Sequence, residues 1–328
     1  MSPSPNIAPL AQGEPRRIAT REAYGEALVE LGAEREDLVV LDADLSGSTK
    51  TKGFSKAYPD RFFNIGVAEA NMMGTAAGLA TMGKTVFASS FAMFAAGKAW
   101  AQVRQSVCVP GLDVQICATH AGLTVGEDGK SHQMVEDIAL MRVLPGMRVL
   151  VPADAVEARE AVRLAASTPG PFYVRLSRAS TPVILDGSYE LELGRGAVLR
   201  DGRDLAIAAC GVEVAEALRA AEILSGEGIE ARVLNLACID PLDTDLVVEA
   251  ARDCGAILVA EEHQVRGGLG DAVAQALSRE HPAPVAFAGL DNAFGQSGTA
   301  DELLAHYGLD GAGLAGRART LLERKAGA

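Results

Sequence analysis

No apolar run in this 328-residue chain is long enough to cross a membrane; runs such as Leu38 to Leu41 and Ala256 to Ala260 have the length of buried strands. The start, MSPSPNIAPLAQGEP, lacks a basic segment followed by an apolar one. It does not read as a secretory signal, and residues 1–15 are expected to form a flexible arm. The five cysteines, Cys108, Cys117, Cys210, Cys238 and Cys254, make no CxxC pair and mostly sit in apolar surroundings. That argues against a zinc site and fits buried free thiols in a reducing cytoplasm. Bases are scarce: 30 Lys and Arg against 43 Asp and Glu give a net charge of -13. The balance argues against nonspecific nucleic-acid binding and leaves room for a local basic pocket that takes an anion. GxxxxGK[ST], HExxH and GxSxG are absent, and no GxGxxG stands at a strand–helix junction, so the common nucleotide, metalloprotease and hydrolase fingerprints are missing. No fixed short repeat is found.

What is there is alternation. With 48% hydrophobic residues the chain can build sizeable cores, and its length suits two domains. Strand-like runs (DLVVLDADL, Thr85 to Ala88, VQICA, Arg148 to Val151, Phe172 to Leu176) alternate with helical ones, among them Arg16 to Gly32 with Thr20 as N-cap, and Phe91 to Val107. Between Ser177 and Gly194 the pattern breaks into a Pro, an Asp-Gly turn and extended residues. A second, smaller alternating unit follows, with a helical tail from Asp301 to Arg324. The expected architecture is α/β, with two doubly wound, mostly parallel domains at 16–180 and 195–328 joined by a linker at 181–194.

In open parallel sheets, ligands sit beyond the carboxyl ends of the strands. In the first domain those ends carry Asp42, Asp44 and Ser48; Glu69; Phe91 and Phe94; His120, Asp128 and His132; and Arg175 and Arg178. The second domain offers less there: Gly211, Asp240 and the run Glu261, Glu262, His263. The chemistry is therefore assigned to the first domain. His120 and His132 bracket Glu127 and Asp128 in one loop, yet the soft ligands and tight helical spacing of a metal site are missing, and no metal ligand is assigned. The stretch from Gly66 to Gly83, GVAEANMMGTAAGLATMG, reads as one buried helix whose glycines let neighbours approach, with Glu69 its only acid. Two readings stand for Glu69: a first-turn carboxylate facing the helix dipole, or a buried group that handles a proton.

GVAEANMMGTAAGLA, SSFAMFAAG, THAGLTVGEDGKSHQ and LSR, in this order, resemble the thiamine-diphosphate-dependent transketolases from about Arg17 to the end of the chain. The resemblance implies a pyrimidine-binding domain followed by a transketolase C-terminal domain. It implies that Glu69 faces the aminopyrimidine of the cofactor, where a carboxyl held against N1′ favours the imino tautomer that removes the proton from thiazolium C2. By the same resemblance Phe91 and Phe94 cover the aminopyrimidine, and Asp44 and Leu45 lie on its thiazolium side. Leu45 holds the bent cofactor. Arg21, Ser48, His120 and Arg178 grip a sugar phosphate, Asp128 reads a substrate hydroxyl, and His132 moves protons near the C1 carbonyl. Gly97 departs from the family, which usually has an aromatic there, so one pocket wall is expected to be open or filled by another chain. The GDG signature of the family's diphosphate- and Mg²⁺-binding domain is absent. The expectation is a split transketolase in the cytoplasm: this chain is the C-terminal subunit, and an N-terminal partner completes an α2β2 assembly. The C-terminal domain is expected to serve the subunit interface, with His263 interfacial or structural. Three rivals remain: the β-subunit of a 2-oxo-acid dehydrogenase, a deoxyxylulose-phosphate-synthase-like enzyme and a silent regulatory subunit.

Overall fold

Continuous Val, Leu, Ile and Ala runs suit strands buried on both faces, and these runs form parallel sheets wrapped by helices in a mixed α/β fold. The computed structural model describes residues 16–326; the proposed arm at 1–15 lies outside the described residues. The larger sheet has seven strands in the order Cys238–Asp240, Arg148–Leu150, Phe172–Arg175, Val114–Thr119, Thr85–Phe91, Leu38–Asp42 and Phe62–Asn64. All of its pairs are parallel except that of Cys238–Asp240 with Arg148–Leu150. The second sheet runs Val285–Leu290, Ile257–Gln264, Leu205–Ala209, Ala231–Asn235 and Ala197–Arg200, the last pair antiparallel. No described helix is long and apolar enough to cross a membrane.

The two units are more closely knit than the alternation suggested. Cys238–Asp240 follows a strand of the second sheet but adds an edge to the first. One apolar core runs from Leu41 and Met72 through Met141 and Val151 to Leu234 and Leu269. Within the proposed linker, Ile184 and Leu185 are buried, and both N–H groups donate to Asp154 Oδ2, at 2.7 and 2.8 Å. The other oxygen of Asp154 caps the helix Ala155–Ser167 by accepting from Val156 and Glu157 N. Pro182 and its neighbours Ser180 and Thr181 pair with Arg17–Ala19 as a small antiparallel ribbon. The first helix therefore starts at Thr20, with Ala19 at the cap position. The Thr20 hydroxyl accepts from Ser177 N at 2.7 Å instead of capping.

Glu157 joins three parts of the fold. Its carboxylate accepts from Ala153 N (2.7 Å), Tyr189 Oη (2.6 Å) and Asn235 Nδ2 (2.7 Å). Burial dominates these bonds and pushes the carboxyl up to about 7. The folded group thus keeps its proton to about pH 7, whereas an unfolded glutamate loses it near 4.5. Its contribution to stability is complete below pH 4.5 and is lost as the pH rises to about 7. Glu157→Gln should flatten the stability profile between pH 5 and pH 8 by about 2–3 kcal/mol, read by urea unfolding at both values. Equal slopes for the two proteins would contradict this.

Candidate functional site

In the larger sheet the strand Leu38–Asp42 has Phe62–Asn64 on one side and Thr85–Phe91 on the other, so the chain order reverses across it. Such a switch point leaves a crevice beyond the carboxyl ends of the strands. Asp42, at the end of its strand and level with Ser89, does not face that crevice as expected. It is buried and accepts from Leu45 N (2.6 Å), Thr49 Oγ1 (2.7 Å) and Thr51 Oγ1 (2.9 Å), which shapes the loop that follows; burial pushes its carboxyl upward. Asp44 and Leu45 lie on the loop thus formed. Asp44 is exposed in the left-handed region (φ 64°), and its Oδ1 accepts from Asn64 Nδ2 at 2.9 Å.

Glu69 is the first residue of the helix Glu69–Thr81, which has no side-chain cap, and it is 2% exposed. Lys98 Nζ donates to its Oε2 at 2.6 Å, and the lysine side chain is 54% exposed. The stretch from Gly66 to Gly83 is not one buried helix. Met72, Met73, Ala76 and Ala77 are buried, but Asn71, Gly74, Gly78 and Thr81 form an exposed face, flanked by Val67 (73% exposed) and Met82 (78%). A Cβ at Gly74 or Gly78 would meet nothing within 4 Å, so these glycines serve no close approach within the chain. The expected helix from Phe91 to Val107 is also broken. Phe91 ends a strand, and two π-helical turns, Met93–Lys98 and Val103–Cys108, flank a short α-helix at Trp100–Gln102. A π turn inserts one residue and re-aims side chains, often at functional sites. Here one such turn carries both Phe94 and Lys98. A Cβ at Gly97 would touch the Met134 and Met93 side chains at 3.6 and 3.7 Å.

Phe91 joins two groups of residues. Its ring lies 6.0 Å from that of Phe94, nearly parallel at 16°, and 3.7 Å from the imidazole of His120. His132 stands edge-on to Phe91 and Phe94 at 6.2 and 5.7 Å. His120 has φ 56° and is buried. Arg21 Nη1 donates to its Nε2 at 3.2 Å and to Ser48 O at 3.0 Å. His120 Nε2 is therefore the acceptor, and Nδ1–H donates to Thr119 Oγ1 at 2.9 Å. Burial first, then Arg21 and Arg178, push the His120 imidazole down to about 3, so it is neutral; burial also lowers the Arg21 guanidinium. Arg178 is near enough to act on both, and its Nη1 donates to Val125 O (2.6 Å) and Glu127 Oε2 (2.7 Å). Asp128 is exposed on the same loop. Arg175, expected on the ligand edge, is buried in ion pairs with Asp137 and Glu262.

Lys98 was missed by the sequence reading, although a lone base in SSFAMFAAGKAW mirrors the lone acid of the Glu69 helix. Glu262 stood among the strand ends of the second domain, and its reach to Thr124 in the first was not foreseen.

The chain matches the model of the transketolase pyrimidine-binding domain over residues 16–183 and that of the transketolase C-terminal domain over 194–314. It is 52% identical over 300 residues to a protein of Methanocaldococcus jannaschii provisionally named a transketolase C-terminal section, covering 90% of this chain and 94% of that protein. It is 37% identical to human transketolase over 312 residues, 94% of this chain but 50% of the human protein. Among solved structures it resembles a split-gene transketolase described as an inactive β4 tetramer, at a TM-score of 0.88 and 53% identity, covering 94% of this chain and 99% of that one. The chain belongs to the transketolase family of enzymes, and along nearly its whole length it is similar to the split-gene form of that family.

Proposed function

We propose that this chain is the C-terminal subunit of a thiamine-diphosphate-dependent transketolase that moves a two-carbon ketol unit from a ketose phosphate to an aldose. The observation that carries the reading is the stack of Phe91 on His120 at 3.7 Å, which joins an aromatic, carboxylate-bearing face to a cationic one. The residues fit the cofactor's aminopyrimidine: a buried carboxylate whose partner is a half-exposed ammonium, on the turn that also carries Phe94, one of two nearly parallel phenyl rings. When bound, the cofactor supplies the nucleophilic carbon and the electron sink. Glu69 holds the proton at ring nitrogen N1′, Phe91 and Phe94 exclude water from the ring, and Leu45 and Asp44 line the thiazolium side. Arg21, Arg178, Ser48 and the neutral His120 bind the phosphate, Asp128 reads a hydroxyl, and His132 moves the proton at the C1 oxygen.

The GDG segment that would hold the diphosphate through Mg²⁺ is absent from this sequence, and the chain spans half of human transketolase. The similarity to the split-gene form supports assigning the diphosphate and the metal to an N-terminal partner subunit, in an α2β2 assembly placed in the cytoplasm. The exposed Gly74 and Gly78 face, bordered by Val67 and Met82, supports a seat for another chain beside Glu69. The subunit alone is then inactive. The domain limits 16–180 and 195–328 are retained as functional units despite the shared core.

The test is reconstitution with the partner, thiamine diphosphate and Mg²⁺, assayed with xylulose 5-phosphate and ribose 5-phosphate and, in parallel, with a 2-oxo acid. Ketol transfer supports the reading; turnover of the 2-oxo acid alone, or no transfer with any phosphosugar, overturns it. In the same assay Arg178→Ala should raise KM for the phosphosugar at least about tenfold, the worth of one lost hydrogen bond to a charged group, with kcat little changed. An unchanged KM removes Arg178 from the phosphate site.

A further inference from the structure

The loop from Gly122 to Gln133 carries Asp128 and His132, and its own bonds, chiefly from Gln133 Nε2 to Leu123 O and Gly126 O, are few. Leu123–Ser131 is a 3₁₀-like run broken by Gly126 and Gly129 in the left-handed region, and long 3₁₀ runs are poorly self-supporting. Arg178 of the first unit holds it at Val125 O and Glu127, and its remaining anchors come from the second unit. Glu262, in the strand Ile257–Gln264, is 3% exposed, and its Oε2 accepts from both Thr124 N and Thr124 Oγ1 at 2.9 Å. The other oxygen of Glu262 accepts from Arg175 Nη1 at 3.2 Å, and Arg175 Nη2 also donates to Glu262 O at 3.1 Å.

The backbone of the loop is shaped to this carboxylate. Gly122 has φ 79°, and a Cβ on it would overlap the carboxyl group of Glu262, so both the torsion and the space demand glycine. Further contacts close the base of the loop. Gln264 N donates to Val135 O at 2.8 Å, and Gln133 Nε2 reaches Gln296 O at 2.9 Å as well as Leu123 O and Gly126 O. Gly129 lies against Ser297, whose Oγ would be 2.6 Å from an added Cβ. The base is thus buried and tied to the second unit, while Glu127, Asp128, Lys130 and Ser131 project as an exposed rim.

We infer that Glu262 is a positioning residue for ketol transfer: the C-terminal unit, through this carboxylate, fixes the loop that presents Asp128 and His132. The inference rests on the reading of that loop as substrate-facing. It gives the C-terminal unit a part in the site itself, beyond any subunit contact. Hydrogen bonds to a buried carboxylate are among the stronger ones, and misplacement by about 1 Å can cost on the order of a hundredfold in rate.

The test compares Glu262→Ala, Glu262→Gln and Thr124→Val by amide exchange on the full chain and by kinetics of the assembled enzyme. Glu262→Ala should speed exchange across 122–133 at least about tenfold, the value of one lost charge-assisted bond, and raise KM for the ketose phosphate by a similar factor. With Thr124→Val, which leaves the Arg175 ion pair intact, exchange in Leu38–Asp42 and Leu205–Ala209 should stay unchanged, and the affinity for thiamine diphosphate should stay unchanged in every variant. Glu262→Gln keeps one acceptor and should recover part of the protection; Thr124→Val, which removes only the hydroxyl bond, should show a smaller increase confined to the loop. Should Glu262→Ala fail to fold, Thr124→Val decides alone. Loop exchange that stays at the wild-type rate in Glu262→Ala, or a rise in Thr124→Val that is equal in both sheets, overturns the inference. If the wild-type assembly transfers no ketol unit, the substrate reading fails while the exchange data still decide whether Glu262 holds the loop.

Discussion

Glu69→Ala is expected to lower ketol transfer by the assembled enzyme about 10²- to 10⁴-fold, the range spanned by positioned acid–base groups, while the subunit folds and assembles as before. The structural argument is local. Glu69 is buried at the start of its helix, and its partner is a lysine that is more than half exposed. Removing the carboxylate therefore strands no buried charge, since Lys98 can turn to water, and the cost to stability should be under about 1 kcal/mol. Glu69→Gln keeps the shape and a hydrogen bond but cannot release a proton, and should lose nearly as much activity as alanine. The pair of variants separates packing from proton handling. Activity of Glu69→Ala within a few-fold of wild type would remove Glu69 from the chemistry, whatever the assembly does. Thermal unfolding and gel filtration of the same samples check that the loss is chemical.

The strand ends and the residues upon them were legible because buried parallel strands are continuous apolar runs, and a sheet of this kind puts its ligands beyond their carboxyl ends. That is why Asp44, Phe91, His120 and Arg178 could be placed on one edge from sequence. Side-chain direction was not legible. Asp42 and Arg175 stand at equivalent strand ends, yet both turn inward, Asp42 to fold its own loop and Arg175 into paired carboxylates. The pairing of Glu69 with Lys98 depends on a π turn, which shifts the register of the following residues and leaves no mark in helical periodicity. The three residues of Cys238–Asp240 are too short a run to declare which sheet they join. The contact of Glu262 with Thr124 spans 138 residues, and its one trace in the sequence is a glycine, Gly122, where the carboxylate leaves no room for a side chain.

Arg175→Met should be the most destabilising of these substitutions, costing about 3–5 kcal/mol. Arg175 is 4% exposed; its Nε donates to Asp137 Oδ2 at 2.8 Å and its Nη1 to Glu262 Oε1 at 3.2 Å, and Tyr173 Oη donates to the same Asp137 oxygen at 2.7 Å. The attraction of both acids holds the guanidinium above its usual range against the pull of burial. Methionine matches the stem but leaves two carboxylates buried with no cation. Glu262 keeps its bonds from Thr124, and Asp137 keeps only the hydroxyl of Tyr173. Urea unfolding at pH 7 should show the full loss, and part of it should return at pH 5, where Glu262, already pushed upward by burial, takes a proton more readily. Replacing the whole set, Arg175→Met with Asp137→Asn and Glu262→Gln, removes every charge and should recover much of the loss. Such recovery in stability without recovery of KM would separate the two duties of the cluster: the ion pairs hold the two units together, and the Glu262 carboxylate holds the loop. If Arg175→Met costs less than about 1 kcal/mol, the buried charges are compensated elsewhere and the cluster is not what joins the units.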